Sequence, residues 1–216
     1  MSLETNLVLV RHGASRSTEL QMVGGHLGCR GLSVEGVSQV EKLARRWLKA
    51  PPFSQEFPYG AGYSSVMRRA VETATAVLSP LGLTLDAQLC DLCEIHPGDA
   101  DGLTWDESGK KYPEIDIYTE PDLPLAPNGE SWNQMRVRAI RALGAIVDHH
   151  PQQTVLIFTH KGVVDAVLEG WFGVSPKCTM VGSNATGITT LRLKRDKRGN
   201  FAPLLISYND AAHILS

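Results

Sequence analysis

Apolar and polar positions alternate between short aliphatic runs and longer amphipathic stretches along the chain. Residues 5–11 are a compact aliphatic run followed by turn residues, the pattern of a strand buried on both faces of a parallel sheet. A Gly-rich loop, G-G-H-L-G-C-R-G at 24–31, leads to Ser33, which predicts a helix N-cap. Val34, Val37, Val40, Leu43, Ala44, Trp47 and Leu48 then share one helical face, and the double proline at 51–52 ends the helix. Gly60 to Ser64 predicts a short strand, Ser65 a cap for a helix running to about Leu78, and Leu83 to Ala87 another strand.

The pattern changes at 95–130, which is proline-rich, turn-rich and acidic, with one short helix at about 104–111. Ser131 with Gln134 forms a capping-box pattern, and Trp132, Met135, Ala139, Ile140, Leu143, Ile146 and Val147 give the following helix its apolar stripe. Thr154 to Phe158 is a second buried strand, with a helix after it at about 162–172. Residues 187–194 and 202–207 flank D-K-R-G-N, which reads as a β-hairpin. Strands alternating with helices predict a three-layer α/β/α sandwich, its central sheet mostly parallel with an antiparallel C-terminal hairpin. Without repeats or low-complexity linkers, residues 1–216 read as a single domain that carries the acidic 95–130 insertion.

Composition narrows the partners. A net charge of −2 over 216 residues gives no general attraction to nucleic acid or anionic membrane. No apolar run reaches the length of a bilayer span, and M-S-L-E-T-N lacks the features of a signal peptide, so a cytoplasmic location is expected. The cysteines are Cys29, Cys90, Cys93 and Cys178. The C-D-L-C at 90–93 raises a zinc or redox reading, but zinc wants a second close pair of Cys or His, and Cys29 and Cys178 stand alone. A redox CxxC opens a helix, whereas L-T-L-D-A-Q-L-C-D-L-C-E reads as extended chain. Semi-buried thiols, no metal and no cofactor are the expectation.

Two strands end alike: the first in Val10-Arg11-His12-Gly13, the later one in Phe158-Thr159-His160-Lys161-Gly162. Ligands of open α/β sheets bind beyond the carboxyl ends of parallel strands, so both histidines are placed to face one pocket. In the helix after Ser65, Arg68 shares a polar face with Glu72, Thr75 and Ser79 and reads as a surface ion pair. Arg69 lies on the stripe with Thr73 and Ala76, beside Val66, Ala70, Ala74 and Val77. An inward arginine there calls for an anionic partner. Two arginines and two histidines in one pocket describe a phosphate site, in which a neutral imidazole can act as nucleophile.

R-H-G at 11–13, S-S-V-M-R-R-A at 64–70, L-C-E at 92–94 and T-H-K-G at 159–162 resemble, in order, the blocks of the histidine phosphatase superfamily, the phosphoglycerate mutase-like fold. N-A-T-G-I-T-T-L and S-Y-N-D-A-A-H resemble its closing strands. The resemblance implies that His12 is the phosphoryl-accepting nucleophile and that Arg11, Arg69 and His160 hold the phosphoryl group. It also implies that Glu94 is the proton donor, in preference to Asp91, Asp99 and Asp101. Ala14, Ser15 and Thr18 stand where the family often has Glu, Ser or Thr, and Asn; Ser15 remains a phosphate hydrogen-bond donor and Thr18 a substrate contact. His26 and His96 read either as lining the pocket mouth or as surface histidines. Lys161, where a small residue is common, either adds charge beside the phosphate or points to solvent. Gly13 is expected to let backbone approach the phosphoryl oxygens.

Phosphatases and mutases of the family share the nucleophile. Residues 86–130 carry twelve acidic residues against two basic ones, Lys110 and Lys111, which suits a second phosphate poorly. The 24–31 loop also lacks the acidic residue that mutases tend to carry. The expectation is a metal-independent phosphatase acting on a small phosphomonoester, with a mutase or a non-catalytic phospholigand-binding protein as alternatives.

Overall fold

The computed structural model describes residues 4–117, 119–174 and 182–215. Cys178 lies outside them. One sheet of six strands runs in the order β3-β2-β4-β1-β5-β6. Its strands are β1 (Thr5–Arg11), β2 (Tyr59–Ser64), β3 (Ala87–Gln88), β4 (Thr154–Thr159), β5 (Ile188–Arg195) and β6 (Phe201–Asp210). The β1–β4, β4–β2 and β2–β3 pairs are parallel, whereas β5 runs antiparallel to β1 and forms the hairpin with β6.

The helices α1 (Arg16–Glu19), α2 (Val34–Lys49), α3 (Arg68–Leu78), α4 (Trp105–Lys111), α5 (Trp132–His149) and α6 (Lys161–Phe172) complete the fold. Alternation along the strands shows why both sheet faces are covered. Leu7, Leu9, Val155 and Ile157 pack with α5 and α6, through Met135, Leu143, Val163 and Val167. The intervening Val8, Val10, Leu156 and Phe158 point to the other face and meet Val40, Leu43 and Trp47 of α2 and Val77 of α3. This is the three-layer sandwich that the pattern predicts.

Local differences have physical causes. The apolar stripe of α2 is narrower than its sequence: Val40, Leu43, Ala44 and Trp47 are buried, while Val34 is 83% exposed and Val37 and Leu48 also face solvent. The Leu83 to Ala87 strand reduces to Ala87–Gln88, because only Tyr63 and Ser64 of β2 pair with it. Ser65 does not cap α3. Met67 occupies that position without a side-chain bond, and the Ser65 hydroxyl turns towards His160. The capping boxes at Thr104–Glu107 and Ser131–Gln134 both form. Among the described residues, no helix is long and apolar enough to cross a membrane.

Candidate active site

The parallel strands β1, β4 and β2 are neighbours, and their carboxyl ends deliver His12, His160 and Ser65 to one place. The His12 N–H donates to Thr159 O at 2.9 Å, which locks the two strand exits together. The imidazoles of His12 and His160 stand edge to face with centroids 5.0 Å apart.

Hydrogen bonds assign the tautomers. Nδ1 of His12 lies 2.7 Å from the Gly13 carbonyl, an acceptor only, so Nδ1 carries the proton and Nε2 presents a lone pair. Arg69 Nε donates to that Nε2 at 3.0 Å, Arg69 Nη1 donates to Gly24 O at 2.7 Å, and Nη2 reaches His160 Nδ1 at 3.2 Å. His160 Nδ1 is therefore an acceptor, and its Nε2–H donates to Ser65 Oγ at 2.7 Å. The same oxygen accepts from Met67 N–H at 3.1 Å. Sequence reasoning misses this role of Ser65, because a serine before a helix reads as a cap.

Arg69 is 5% exposed, and among the described residues neutral groups alone accept its hydrogen bonds. Arg11 is half-buried; it donates to Ser183 O, and its Nε is buried without a partner among the described residues. Two guanidinium groups held this way, with no carboxylate bonded to either among the described residues, form a positive cluster that an anion completes.

The same field keeps the histidines neutral. Burial, and then the Arg69 charge, push His12 well below the ordinary imidazole value; burial, Arg69 and His12 do the same to His160. Each folded-state value lies below the unfolded one, so the unfolded chain binds more protons in the interval between them. The stability these groups contribute is fully present above about pH 6.5 and is lost as pH falls below it, by up to about 1.4 kcal/mol per pH unit for each histidine. His96 and His213 shift in the same direction and add to the slope. Urea unfolding midpoints should therefore fall steeply from pH 7 to pH 5.5, and less steeply with phosphate bound; a flat profile contradicts the assignment.

Glu94 follows a 3₁₀ turn, Cys90–Leu92, and its carboxylate accepts from Gly162 N–H at 3.0 Å in the first turn of α6. A Cβ on Gly162 would lie 2.0 Å from Glu94 Oε1, so only glycine lets the carboxylate seat against the start of α6. Gly13 has a different task from the one expected. A Cβ there would stand 2.8 Å from Gly36 O and 3.0 Å from Val40, so its smallness serves the packing of the strand exit on α2.

Arg138 of α5 holds the Glu94 turn. Its Nη1 donates to the carbonyls of Cys90, Asp91 and Cys93, and Nε and Nη2 grip Glu130 at 2.8 and 2.7 Å. Replacing Arg138 by methionine leaves Glu130 and three carbonyls without these donors. We expect a loss of about 3 kcal/mol, which lowers the melting temperature by on the order of 10 °C. The double variant with Glu130→Gln should recover part of it in thermal unfolding.

The remaining predicted residues have partners of their own. Ser15 caps α1, accepting from Thr18 N and lying 3.1 Å from Thr18 Oγ1, so both hydroxyls are engaged within their own turn. Lys161 pairs with Asp165 on its own helix. Asp165, unremarked in the sequence, is a half-buried carboxyl raised by its partial burial, within electrostatic reach of Glu94 and Arg11. His26 and His96 meet Cys90, at 3.7 and 3.6 Å from its sulfur, with their rings 5.2 Å apart. The expectation that the thiols lack a second pair of metal-type side chains thus fails: histidines supply it. Cys93 is fully buried, which pushes its thiol up to about 11, with Cys90 adding to the shift.

Comparison with known proteins gives the family. Residues 7–200 match the family model described as histidine phosphatase superfamily (branch 1). A metal-independent phosphoserine phosphatase of Arabidopsis thaliana is 32% identical over 166 residues, 76% of this chain and 67% of that protein. The phosphoglycerate mutase-like protein 4 of the same plant is 32% identical over 168 residues, 76% of this chain and 69% of its own. The solved structure of Bacillus stearothermophilus YhfR superposes with a TM-score of 0.76 at 28% identity, covering 97% of this chain and 99% of that one. A family match extending from β1 to the loop before β6 takes in both strand-end histidines, Arg69 and Glu94, and the chain belongs to the histidine phosphatase superfamily.

Proposed function

We propose that the protein is a phosphatase that hydrolyses a small phosphomonoester through a phosphohistidine on His12, in a reaction that needs no metal. The observation that carries the reading is the buried Arg69, bonded to both imidazoles and to no carboxylate among the described residues. A phosphoryl group entering between Arg11, Arg69 and His160 supplies the missing negative charge. Arg69 then exchanges its imidazole acceptors for phosphoryl oxygens, which frees the His12 Nε2 lone pair for attack.

In the first step Nε2 forms the N–P bond, the ester P–O bond breaks, and Glu94 gives its proton to the leaving oxygen. In the second, water attacks phosphorus, the P–N bond breaks, and Glu94 takes the proton from water. Nδ1–H on Gly13 O stabilises the charge that develops on the His12 ring at attack. Arg11 and Arg69 neutralise the equatorial oxygens.

The relative named as a phosphoserine phosphatase supports a small phosphorylated substrate with a compact polar body. The acidic 86–130 stretch supports hydrolysis over mutase chemistry, since an intermediate with a second phosphate would meet repulsion there. The test assays phosphoserine and an aryl phosphate without added metal, and 3-phosphoglycerate with a bisphosphorylated primer. Phosphate release is the expected result. Efficient isomerisation of 3-phosphoglycerate, or tight phosphate binding with no turnover of any ester, overturns it.

A further inference from the structure

Outside the phosphate pocket, a second constellation of chemistry-bearing side chains is gathered from two loops. Cys90, Cys93 and His96 lie on the turn that carries Glu94, in the spacing C-x₂-C-x₂-H, while His26 comes from the loop 64 residues before Cys90. One ligand atom from each of the four lies within 4.8 Å of the other three. The Cys90 sulfur is 3.7 Å from His26 Nε2 and 3.6 Å from His96 Nε2. A tetrahedral ion with Zn–S near 2.3 Å and Zn–N near 2.0–2.1 Å requires S···N separations of about 3.6 Å. The two Cys90–histidine pairs therefore already stand at the separation of a tetrahedral site, and the remaining pairs lie within 4.8 Å.

The surroundings are those of a held site. The Glu130 carboxylate lies 3.7 Å from His96 Nδ1 and accepts from the His96 backbone N–H at 3.2 Å, so it orients the ring whose Nε2 faces the thiol. Asp101 accepts from Leu27 N and Gly28 N at 2.8 and 2.9 Å and fixes the loop that bears His26. Arg138 binds the carbonyls of Cys90 and Cys93. Cys93 is buried, whereas Cys90 and His26 are exposed, which leaves an ion a route in from solvent.

We propose that His26, Cys90, Cys93 and His96 bind one divalent cation of zinc type, which ties the Glu94 turn to the 24–28 loop. Thiolate and imidazole together select a soft or borderline ion over magnesium or calcium. The ion does not touch the reacting atoms, so it is compatible with metal-independent phosphoryl transfer. Its ligands bracket Glu94 on one side. On the other, His26 stands two residues from Gly24, whose carbonyl holds Arg69. The cation is a positioning element for an acid and an arginine that come from different loops.

The experiment titrates the reduced, chelator-treated full chain with Co²⁺, without oxygen. One equivalent should bind, with intense tetrahedral visible bands and a near-ultraviolet thiolate-to-cobalt transition that Zn²⁺ abolishes. Cys90→Ser and His96→Gln should each weaken binding by more than the roughly 10–100-fold typical of losing an outer-shell partner. Cys29→Ser should leave it unchanged. Zn²⁺ should raise the melting temperature of the wild type but not of Cys90→Ser. Because Cys90 is exposed, its variant is expected to fold, and far-ultraviolet circular dichroism checks this. A weak octahedral cobalt spectrum, equal affinity in Cys90→Ser, or a Cys90–Cys93 disulfide that persists under reductant each overturns the proposal. Binding is read by spectrum and melting temperature, so the outcome is independent of whether His12 carries the phosphoryl group.

Discussion

His12→Ala lowers kcat by on the order of 10⁶-fold, the scale on which covalent enzymes fail when the nucleophile is removed, while phosphate affinity changes little. The asymmetry follows from the hydrogen bonds. His12 contributes one lone pair, and that atom is occupied by Arg69 Nε rather than by anything that would repel an anion. Removing the ring deletes the imidazole that Gly13 O orients for attack, yet Arg11 and Arg69 keep the positive lining and His160 stays bonded to Arg69. Alanine also frees Arg69 from an acceptor, so inorganic phosphate should bind the variant about as tightly as the wild type. Two measurements check this: steady-state hydrolysis, and calorimetric titration with phosphate. Brief incubation with labelled substrate should also leave an acid-labile, base-stable label on the wild type and none on the variant. Turnover within about tenfold of the wild type, or equal labelling of both, contradicts the role of His12 as nucleophile.

Much of this site was legible because strand ends are places where sequence and topology coincide. A two-faced aliphatic run such as Leu7 to Val10 has to be a central strand, so the residues immediately after it stand at its carboxyl end. The same argument places His160 after Thr154–Thr159, and helical periodicity places Arg69 inward and Arg68 on the surface, where it pairs with Glu72 at 2.6 Å. Contacts between loops were not legible. His26 and His96 are 70 positions apart and meet where Asp101 and backbone bonds between Val23 and Gly102–Leu103 draw one loop onto another. No periodic signal encodes such a meeting, and a search for paired cysteines passes over it. Ser65 was misread for a related reason: its hydroxyl has a local option, a cap, and a distant one, His160, and tertiary packing selects the distant one. The α2 stripe was read too wide because periodicity reports which residues share a face and not how far the neighbouring elements extend over it.

The second large effect belongs to Arg69, and the informative replacement is lysine, which keeps the charge. The guanidinium sends Nε to His12, Nη1 to Gly24 and Nη2 to His160, three directions fixed by one rigid plane. An ammonium on a flexible stem carries the same charge at one point and cannot reach all three acceptors. Loss of a single preorganised donor to developing oxyanion charge costs about 10²–10³-fold. Because Arg69 also aligns both imidazoles, Arg69→Lys should lower kcat/KM by on the order of 10³-fold, with KM raised as well as kcat lowered. Alanine should act further, through the histidines themselves. The Arg69 charge is one of the influences holding His12 and His160 below their ordinary values, so its removal shifts both upward. Protonation of His12 removes the lone pair, and the acid limb of kcat/KM should therefore lie at higher pH in Arg69→Ala than in the wild type, with lysine much closer to the wild type. A variant that merely loosened the fold would lose rate without moving that limb. If Arg69→Lys retains kcat/KM within about tenfold, the buried fork is dispensable and the phosphate site rests on Arg11 and His160 alone.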